Sequence, residues 1–354
     1  MNQRILHQFT EGIAVGDAIS DQAFAIRTWL REAGFTSEIY ATHIQAALSK
    51  EVRPAHTYQP SADERYVVYH HSIGSTVAEH LLRLPVRFVL IYHNVTPPAF
   101  VQAVDPKLAR QLEYGLAQLE VLCPRTDLGL AVSPYNEADL RAAGFADTAI
   151  LPIFLEERHY QTSNLPALTA RLHDRHPLLL FVGRIAPNKR QEDLIKLLYY
   201  YRRIEPRATL ALVGSQWLPA YVNWLKNLAQ SLGLAEHLIF ADHVTQAELV
   251  SYFRTADVYV SMSEHEGFGK PLIESMYLGL PVLAYATTGV PGTMGGTGVL
   301  FHEKNYEVLA EMVDMLIKDR ALRARIIVRQ QARAQMFLAP QVRQLWQRYL
   351  SCLA

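Results

Sequence analysis

The sequence predicts an α/β protein made of two Rossmann-like domains, each a parallel, doubly wound sheet, facing each other across a cleft. Three observations carry that reading. Strand-like apolar runs alternate with amphipathic helical patterns along almost the whole chain, which is the signature of βαβ units. The alternation breaks at Leu151-Pro-Ile-Phe and at the polar stretch 161–166, then restarts. The length, 354 residues with 50% hydrophobic, suits two cores better than one.

Residues 5–9 read as the first strand, followed by a glycine-containing loop and an amphipathic helix near 20–33. Further strands are expected at 38–41, 66–70, 87–93 and 128–133, with helices between most of them. After the break, strands are expected at 178–183, 209–214, 238–241, 257–262 and 281–285. The expected domains are therefore residues 1–155 and 165–337.

Composition narrows the function classes. Formal net charge is zero, so the overall basic footprint of a nucleic-acid binder is missing. Charge is nonetheless uneven: residues 320–354 hold seven arginines and no acidic residue, so the remainder sums to minus seven. Cys123 and Cys352 are the only cysteines, too few for a disulfide framework, which fits a reducing cytoplasm. The opening MNQRILHQFTEG breaks its apolar run too early for a signal peptide. No run approaches the roughly 20 apolar residues of a membrane span.

The stretch SEHEGFGKPLIE, residues 263–274, follows a β-branched, aromatic strand and leads into a helical pattern opened by Pro271. It is a strand-to-helix turn at the carboxyl edge of a sheet, where open α/β sheets bind ligands. Gly267 and Gly269 let backbone approach a ligand, and the helix start offers unpaired N–H groups. Glu266 and Glu274 form an E-x7-E pair. Glu274, placed in the helix's first turn, reads either as a dipole-compensating carboxylate or as a ligand group, and Glu266 either as a loop residue or as a ligand group.

A second constellation, Phe181-Val-Gly-Arg-Ile-Ala-Pro-Asn-Lys189, sets Gly183, Arg184 and Lys189 straight after the first strand of the second half. Arginine supplies a planar fork of donors and lysine a point charge, together a clamp for a diphosphate. Alone these would be solvated loop cations; on the same sheet edge as the glutamates they form a joint site.

The chain here resembles family 4 of the glycosyltransferases, retaining nucleotide-sugar enzymes with the GT-B fold. GRIAPNK matches that family's Arg-x4-Lys donor clamp and EGFGKPLIE its E-x7-E signature, and the resemblance covers most of residues 175–300. It implies that Arg184 and Lys189 hold the donor diphosphate, that Glu266 binds hydroxyls of the transferred sugar and that Glu274 binds the ribose. Backbone N–H groups around Phe268, Gly269 and Lys270 would also meet the donor. The family usually has a hydrophobic residue where Lys270 stands and often glycine where Arg190 stands. These extra cations either tune donor affinity or face solvent.

The N-terminal half matches less closely. Gly12-Ile-Ala-Val-Gly-Asp17 sits after the first strand, where the family has a glycine-rich turn facing the donor phosphates; a simple βα turn explains it equally well. Gly16 is the candidate for that approach, with Asp17 beside it on the acceptor side. The dinucleotide fingerprint G-x-G-x-x-G is absent. His93 ends the strand Val89-Leu-Ile-Tyr-His, where the family often has a histidine contacting the transferred sugar. His70 and His71, in YHHSIGS, are acceptor-side or loop-ordering candidates. Ser133 and Tyr135 resemble the family's next cleft loop, and no role follows for them. The segment 289–298, with VPGTMGG in it, reads as a mobile loop over base or acceptor.

No residue cluster has zinc-ligand spacing and no D-x-D metal motif occurs, so no metal and no cofactor are expected; the nucleotide-sugar is a substrate. Arg184, Lys189 and helix dipoles would stabilise the departing diphosphate. No nucleophile is evident, and the two glutamates are not the acid and nucleophile of a retaining hydrolase. The expected activity is hexosyl transfer to a glycan or lipid-linked acceptor in surface-polysaccharide synthesis, with GDP-mannose ranked first as donor and a UDP-hexose such as UDP-glucose second. Two alternatives stand beside it: a nucleotide-sugar 2-epimerase of the same fold, and a non-catalytic nucleotide-sugar-binding subunit.

By the same resemblance, a terminal helix at about 338–354 crosses back onto the first domain. Val342, Leu345, Trp346 and Tyr349 fall on one face at helical spacing, with Arg343 off that stripe and Arg348 near its edge. The arginines either solvate the helix and pair with acids, or form a basic strip that holds a cytoplasmic enzyme on the anionic inner face of a membrane.

Overall fold

The computed structural model describes residues 4–62, 64–216 and 218–351; Cys352 lies outside them. The chain divides into two compact units. One runs through Phe154 and resumes at Pro340, and the other is Leu155–Ala339. Residues 156–164, which the sequence reading leaves between the domains, fall in the second unit.

The first unit holds seven strands: β1 (His7–Ile13), β2 (Ile39–Ile44), β3 (Arg53–Pro54), β4 (Tyr66–His71), β5 (Arg87–Tyr92), β6 (Thr126–Ala131) and β7 (Thr148–Ile150). Their order is β3-β2-β1-β4-β5-β6-β7 and every pairing is parallel. The winding reverses between β1 and β4, the switch point at which such sheets bind ligands. Helices cover both faces, so the central strands are buried along most of their length, β5 as the apolar run Phe88–Tyr92 and β1 and β4 with buried polar residues among the apolar ones. One face buries an aromatic group in which Phe9 stacks on Tyr40 (centroids 5.0 Å apart) and meets Tyr58 edge-on at 4.7 Å. The other buries Ile13, Ile39 and Ala41 against Ala23 of the helix Ala18–Glu32.

The first strand runs further than its sequence suggests. Gly12 and Ile13 pair with His43 and Ile44, so the loop at the strand's end begins at Ala14 rather than Gly12. The helix Ala339–Ser351 buries Val342 and Trp346. The Tyr349 hydroxyl donates to the Ile150 carbonyl at 2.9 Å, and Arg343 pairs with Glu32 at 2.7 Å.

The second unit holds β8 (Leu178–Val182), β9 (Thr209–Val213), β10 (Leu238–Ala241), β11 (Val258–Ser261), β12 (Val282–Tyr285) and β13 (Val299–Phe301). The order β10-β9-β8-β11-β12-β13 repeats the doubly wound pattern, again all parallel. The strands absent from the sequence reading, β3, β7 and β13, are edge strands of two or three residues, too short to display a period.

The arginine-rich segment is not a continuous strip. Arg323 donates to the Asp257 carbonyl, and Arg333 donates to the carbonyls of Gly292 and Thr293 at 2.7 and 3.1 Å. Arg320, Arg325 and Arg329 remain exposed, as does Arg348 on the terminal helix. Among the described residues no helix is long and apolar enough to cross a membrane.

Candidate functional site

Because β8, β11 and β12 are parallel neighbours, the loops that follow them meet at one edge of the second sheet. The loop after β8 begins at Gly183 (φ 151°), and a Cβ on Gly214 would sit 2.2 Å from the Gly183 carbonyl oxygen. Only glycine permits that backbone approach. Arg184 follows, exposed, with its carbonyl accepting from the Gln191 amide at 3.0 Å. Buried Asn188 then joins this loop to the next: its carbonyl accepts from the Glu264 N–H at 2.9 Å and its amide donates to the His265 carbonyl at 3.2 Å. The result is direct contact between the two motifs. Lys189 Nζ lies 2.6 Å from Glu266 Oε2, with the side chains 17% and 15% exposed.

The loop after β12 holds Glu266 from its other side. Thr288, in the left-handed region at φ 44°, accepts the Glu266 N–H at its hydroxyl and donates to the Glu266 carbonyl, both at 2.9 Å. Gly289 N–H donates to the same carbonyl, and a Cβ on Gly289 would come within 2.2 Å of the Gly267 carbonyl oxygen. The glycine-rich segment 289–298 is therefore not a mobile loop. It contains the helix Val290–Met294, and its Thr293 hydroxyl donates to the Phe268 carbonyl at 2.7 Å. Gly289, Gly295 and Gly298 serve close packing, whereas a Cβ on Gly296 would meet open space.

The helix Lys270–Tyr277 follows Gly269, which takes a left-handed φ of 83°. Glu274 thus lies in the second turn, and the reading of it as a first-turn carboxylate facing the dipole is corrected. It is buried, and the Tyr160 hydroxyl donates to its Oε1 at 2.6 Å; Arg254 in turn donates to the Tyr160 carbonyl. Burial first, then the charges of Glu266 and Glu274, raise the Tyr259 phenol well above its ordinary pKa, so both carboxylates bear on one phenol. The Phe268 ring is buried edge-on against Phe337 at 5.4 Å, which leaves its backbone as the part offered to a ligand.

Arg190 neither reaches toward Arg184 and Lys189 nor merely faces solvent. At φ 54° it turns back to Glu192 (3.0 Å), Asp193 (3.3 Å) and Glu264 (3.3 Å). Lys304 bridges Asp193 and Glu264 at 2.8 Å each, and the Tyr306 hydroxyl donates to Asp193. Burial works to raise the Asp193 carboxyl, yet the bonds from Lys304 and Tyr306 hold it below its ordinary pKa. Next to this network His265 is buried and its pKa falls to about 4, first through desolvation and then through Lys189.

The matching edge of the first sheet is assembled differently. Gly16 is exposed and left-handed at φ 77°. Asp17 caps the helix Ala18–Glu32, accepting from Ser20 N–H and hydroxyl at 3.0 and 2.9 Å, which accounts for it without an acceptor. Ser133 likewise caps the helix Pro134–Ala142, and Tyr135 is half-buried. His70 and His71 are wholly buried, so neither presents its ring to an acceptor. His71 Nε2 bonds the Gly115 carbonyl at 2.8 Å, while His70 Nδ1 lies 3.0 Å from His93 Nε2. His93, half-buried just past β5, is followed by Asn94 at φ 84°, a left-handed turn that ends the strand there. Burial lowers all three imidazoles: His70 to about 3, His71 to about 4, and His93 well below its ordinary value.

Sequence reasoning missed Asn188, Thr288, Tyr160 and Gln8. Asn188 stands beside Lys189 and was open to inspection as a loop-joining amide. Tyr160 meets Glu274 across 114 residues, and no local pattern announces it. Among the described residues no three His, Cys, Asp or Glu side chains group as a metal site.

Comparison with known proteins fits this geometry. Residues 170–333 match the family model described as Glycosyl transferases group 1, so the second unit carries a domain of that group. The chain is 30% identical over 168 residues to the GDP-mannose-dependent alpha-(1-6)-phosphatidylinositol monomannoside mannosyltransferase of Mycolicibacterium smegmatis, covering 44% of this chain and 43% of the relative. It is 34% identical over 157 residues to the D-inositol 3-phosphate glycosyltransferase of Thermobifida fusca, covering 42% and 36%. The chain spans less than half the length of these two relatives. Among solved structures, Anabaena Alr3699/HepE in complex with UDP and glucose aligns with a TM-score of 0.76 at 19% identity, over 99% of this chain and 100% of that one. The two parallel-sheet units are those of the GT-B fold.

Proposed function

We propose that this chain is a glycosyltransferase that moves a hexose from a nucleotide-sugar to a glycan or lipid-linked saccharide, retaining anomeric configuration and needing no metal. One observation carries the reading: the 2.6 Å contact between Lys189 of the Arg-x4-Lys loop and Glu266 of the E-x7-E loop, at the carboxyl edge of a parallel sheet. In this reading Arg184 and Lys189 take the diphosphate, whose charge grows as the glycosidic bond breaks. Lysine has three N–H donors, so Lys189 can keep Glu266 while turning to a phosphate oxygen. Glu266 takes hydroxyls of the sugar, and Glu274, steadied by Tyr160, takes the ribose. Gly16, Gly183, Gly267, Phe268, Gly269 and Lys270 contribute backbone. His93 takes a saccharide hydroxyl. Since Glu266 is tied to Lys189 and no other nucleophile is apparent, the departing diphosphate itself helps deprotonate the acceptor.

GDP-mannose is the first-ranked donor, supported by the name of the Mycolicibacterium relative; a UDP-hexose is second, supported by the UDP and glucose of the Anabaena complex. The setting we assign is cytoplasmic surface-polysaccharide synthesis, with peripheral contact to an anionic membrane through the exposed arginines. A thermal-shift panel of GDP, UDP and ADP tests the base, because a ligand at 100 times its Kd adds about 2.7 kcal/mol of stability. Incubation with sugar-labelled donor in EDTA tests the chemistry. Transfer with retained configuration is expected. Release of the C2 epimer marks an epimerase, absence of turnover marks a binding subunit, and loss of activity restored by a divalent cation overturns metal independence.

A further inference from the structure

The buried edge of the first sheet contains a hydrogen-bond chain whose direction can be worked out atom by atom. Gln8 is fully buried, and its Nε2 donates to the Ala23 carbonyl at 2.9 Å. A backbone carbonyl can only accept, so the amide's orientation is settled and Oε1 must point the other way. Oε1 lies 3.0 Å from His70 Nε2, which therefore carries a proton. His70 is buried at 1% exposure, with no carboxylate in hydrogen-bond contact, and desolvation disfavours its cation. A neutral ring protonated on Nε2 has a lone pair on Nδ1. That lone pair faces His93 Nε2 at 3.0 Å, with the rings 16° from coplanar and their centroids 5.2 Å apart, the arrangement of an in-plane hydrogen bond rather than face-to-face stacking. His93 Nε2 must donate. Its other nitrogen, Nδ1, has no hydrogen-bond partner among the described residues.

We infer that Gln8 and His70 are positioning residues that hold His93 neutral with its proton on Nε2, so that Nδ1 is offered as an acceptor to a hydroxyl of the bound saccharide. The choice of hydroxyl rests on the glycosyltransferase reading; the direction of the chain does not. A ring held this way accepts a proton donor and gives no charge to a phosphate, which sets His93 apart from Arg184 and Lys189 in chemistry. The relay also explains why a polar glutamine and a histidine occupy buried positions on adjacent central strands, where apolar residues would pack as well.

The direct test is long-range ¹H–¹⁵N correlation on the full-length protein labelled at histidine nitrogens, at neutral pH, with the His93 ring assigned by its loss in His93→Gln. Both His70 and His93 are expected as the Nε2–H tautomer. A His93 proton on Nδ1, a mixture of tautomers, or a doubly protonated ring overturns the relay. Gln8→Glu reverses it: a carboxylate cannot donate to Ala23 and draws a proton onto His70. His70 then donates from Nδ1, forcing His93 to accept at Nε2 and carry its proton on Nδ1. A folded Gln8→Glu protein whose introduced carboxyl is ionised by infrared spectroscopy yet whose His93 tautomer is unchanged overturns the proposal, and if that variant does not fold or keeps the carboxyl protonated the wild-type spectrum decides. In the transfer assay the reversed ring should lower kcat/KM roughly tenfold, about one hydrogen bond's worth, with nucleoside diphosphate binding unchanged. A switched tautomer with unaltered kcat/KM overturns the assignment of Nδ1 to a saccharide hydroxyl. Absence of transfer in the wild type defeats the proposed activity while leaving the tautomer result to stand or fall separately.

Discussion

At the carboxyl edge of the second sheet Lys189, Glu266, Arg190, Asp193, Glu264 and Lys304 are all charged side chains held in pairs, whereas β1, β4 and the end of β5 in the first sheet carry a hydrogen-bonded group of Gln8, His70, His71 and His93, with the buried Glu11 nearby accepting from the Ser75 hydroxyl and pairing with His43 at 3.5 Å. The fold is the same in both; the balance of charged and neutral groups differs. Lys189 and Glu266 pair with part of each side chain still open to solvent, and in the proposed reaction that lysine would meet the diphosphate. Deep burial of His70 and His71, and the contact of His70 with the half-buried His93, leave these rings the direction of their hydrogen bonds rather than a charge to offer. In the proposed reaction one group would meet developing negative charge and the other would orient a neutral hydroxyl.

The strongest way to break that contrast is to remove the cations. Arg184→Ala and Lys189→Ala should each leave the fold intact and lower turnover by roughly 10²–10³-fold, as expected for lost transition-state charge stabilisers. Near-normal turnover in either variant would remove that residue from the site. A more selective pair of effects separates the glutamates. Glu274→Ala should weaken GDP or UDP binding in calorimetry, and Tyr160→Phe should do so several-fold less severely, since it removes one hydrogen bond worth about 1 kcal/mol. Glu266→Ala should leave nucleotide affinity nearly unchanged yet abolish transfer. The reverse ordering would exchange the two assignments.

Acid sharpens the contrast from the other side. His70 and His71 have folded pKa values of about 3 and about 4, lowered from 6.5 chiefly by burial. Between those values and 6.5 the unfolded chain binds more protons, so stability rises with pH through that window and is complete above it. Asp139 opposes this: burial raises it from 3.8 to about 6, so its contribution is lost as pH rises through 6. With His70, His71 and His93 all lowered against one raised carboxyl, melts should shift downward as pH falls from 6.5 to 4. Hydrogen exchange should localise the loss to β1 and β4 more than to β8 and β9. In the second unit His265, at about 4, works in the same direction as the two histidines. Uniform protection across both sheets would count against the description of the buried histidine group.

The smallest effect concerns the exposed arginines Arg320, Arg325 and Arg329. Each basic residue near an anionic surface contributes about 1 kcal/mol, so three give weak, salt-sensitive association. Co-sedimentation with strongly anionic liposomes should be detectable at low salt and largely lost at physiological salt; none at low salt would leave this segment purely structural.

Much of the architecture was legible in the residues themselves. Apolar strand runs alternating with amphipathic helical patterns, the break near residue 155 and the glycines at strand ends specify two parallel α/β units, because burial on both faces forces near-continuous apolar strands on a chain. Arg184, Lys189, Glu266 and Glu274 were legible as well, since a turn that brings backbone and charge to a sheet edge leaves its mark within a dozen residues. What they touch was not. That Lys189 meets Glu266, that Asn188 and Thr288 brace that pair, and that Tyr160 holds Glu274 depend on which strands lie side by side. The sequence puts Arg190 beside Lys189 as a second cation, and only the left-handed turn at Arg190 directs it into a carboxylate network instead. His70 and His93 read alike as strand-end histidines. Tertiary structure alone buried the first and made it the group that sets the second, because hydrogen-bond direction is settled by partners that are far apart in the chain and adjacent only in the folded sheet.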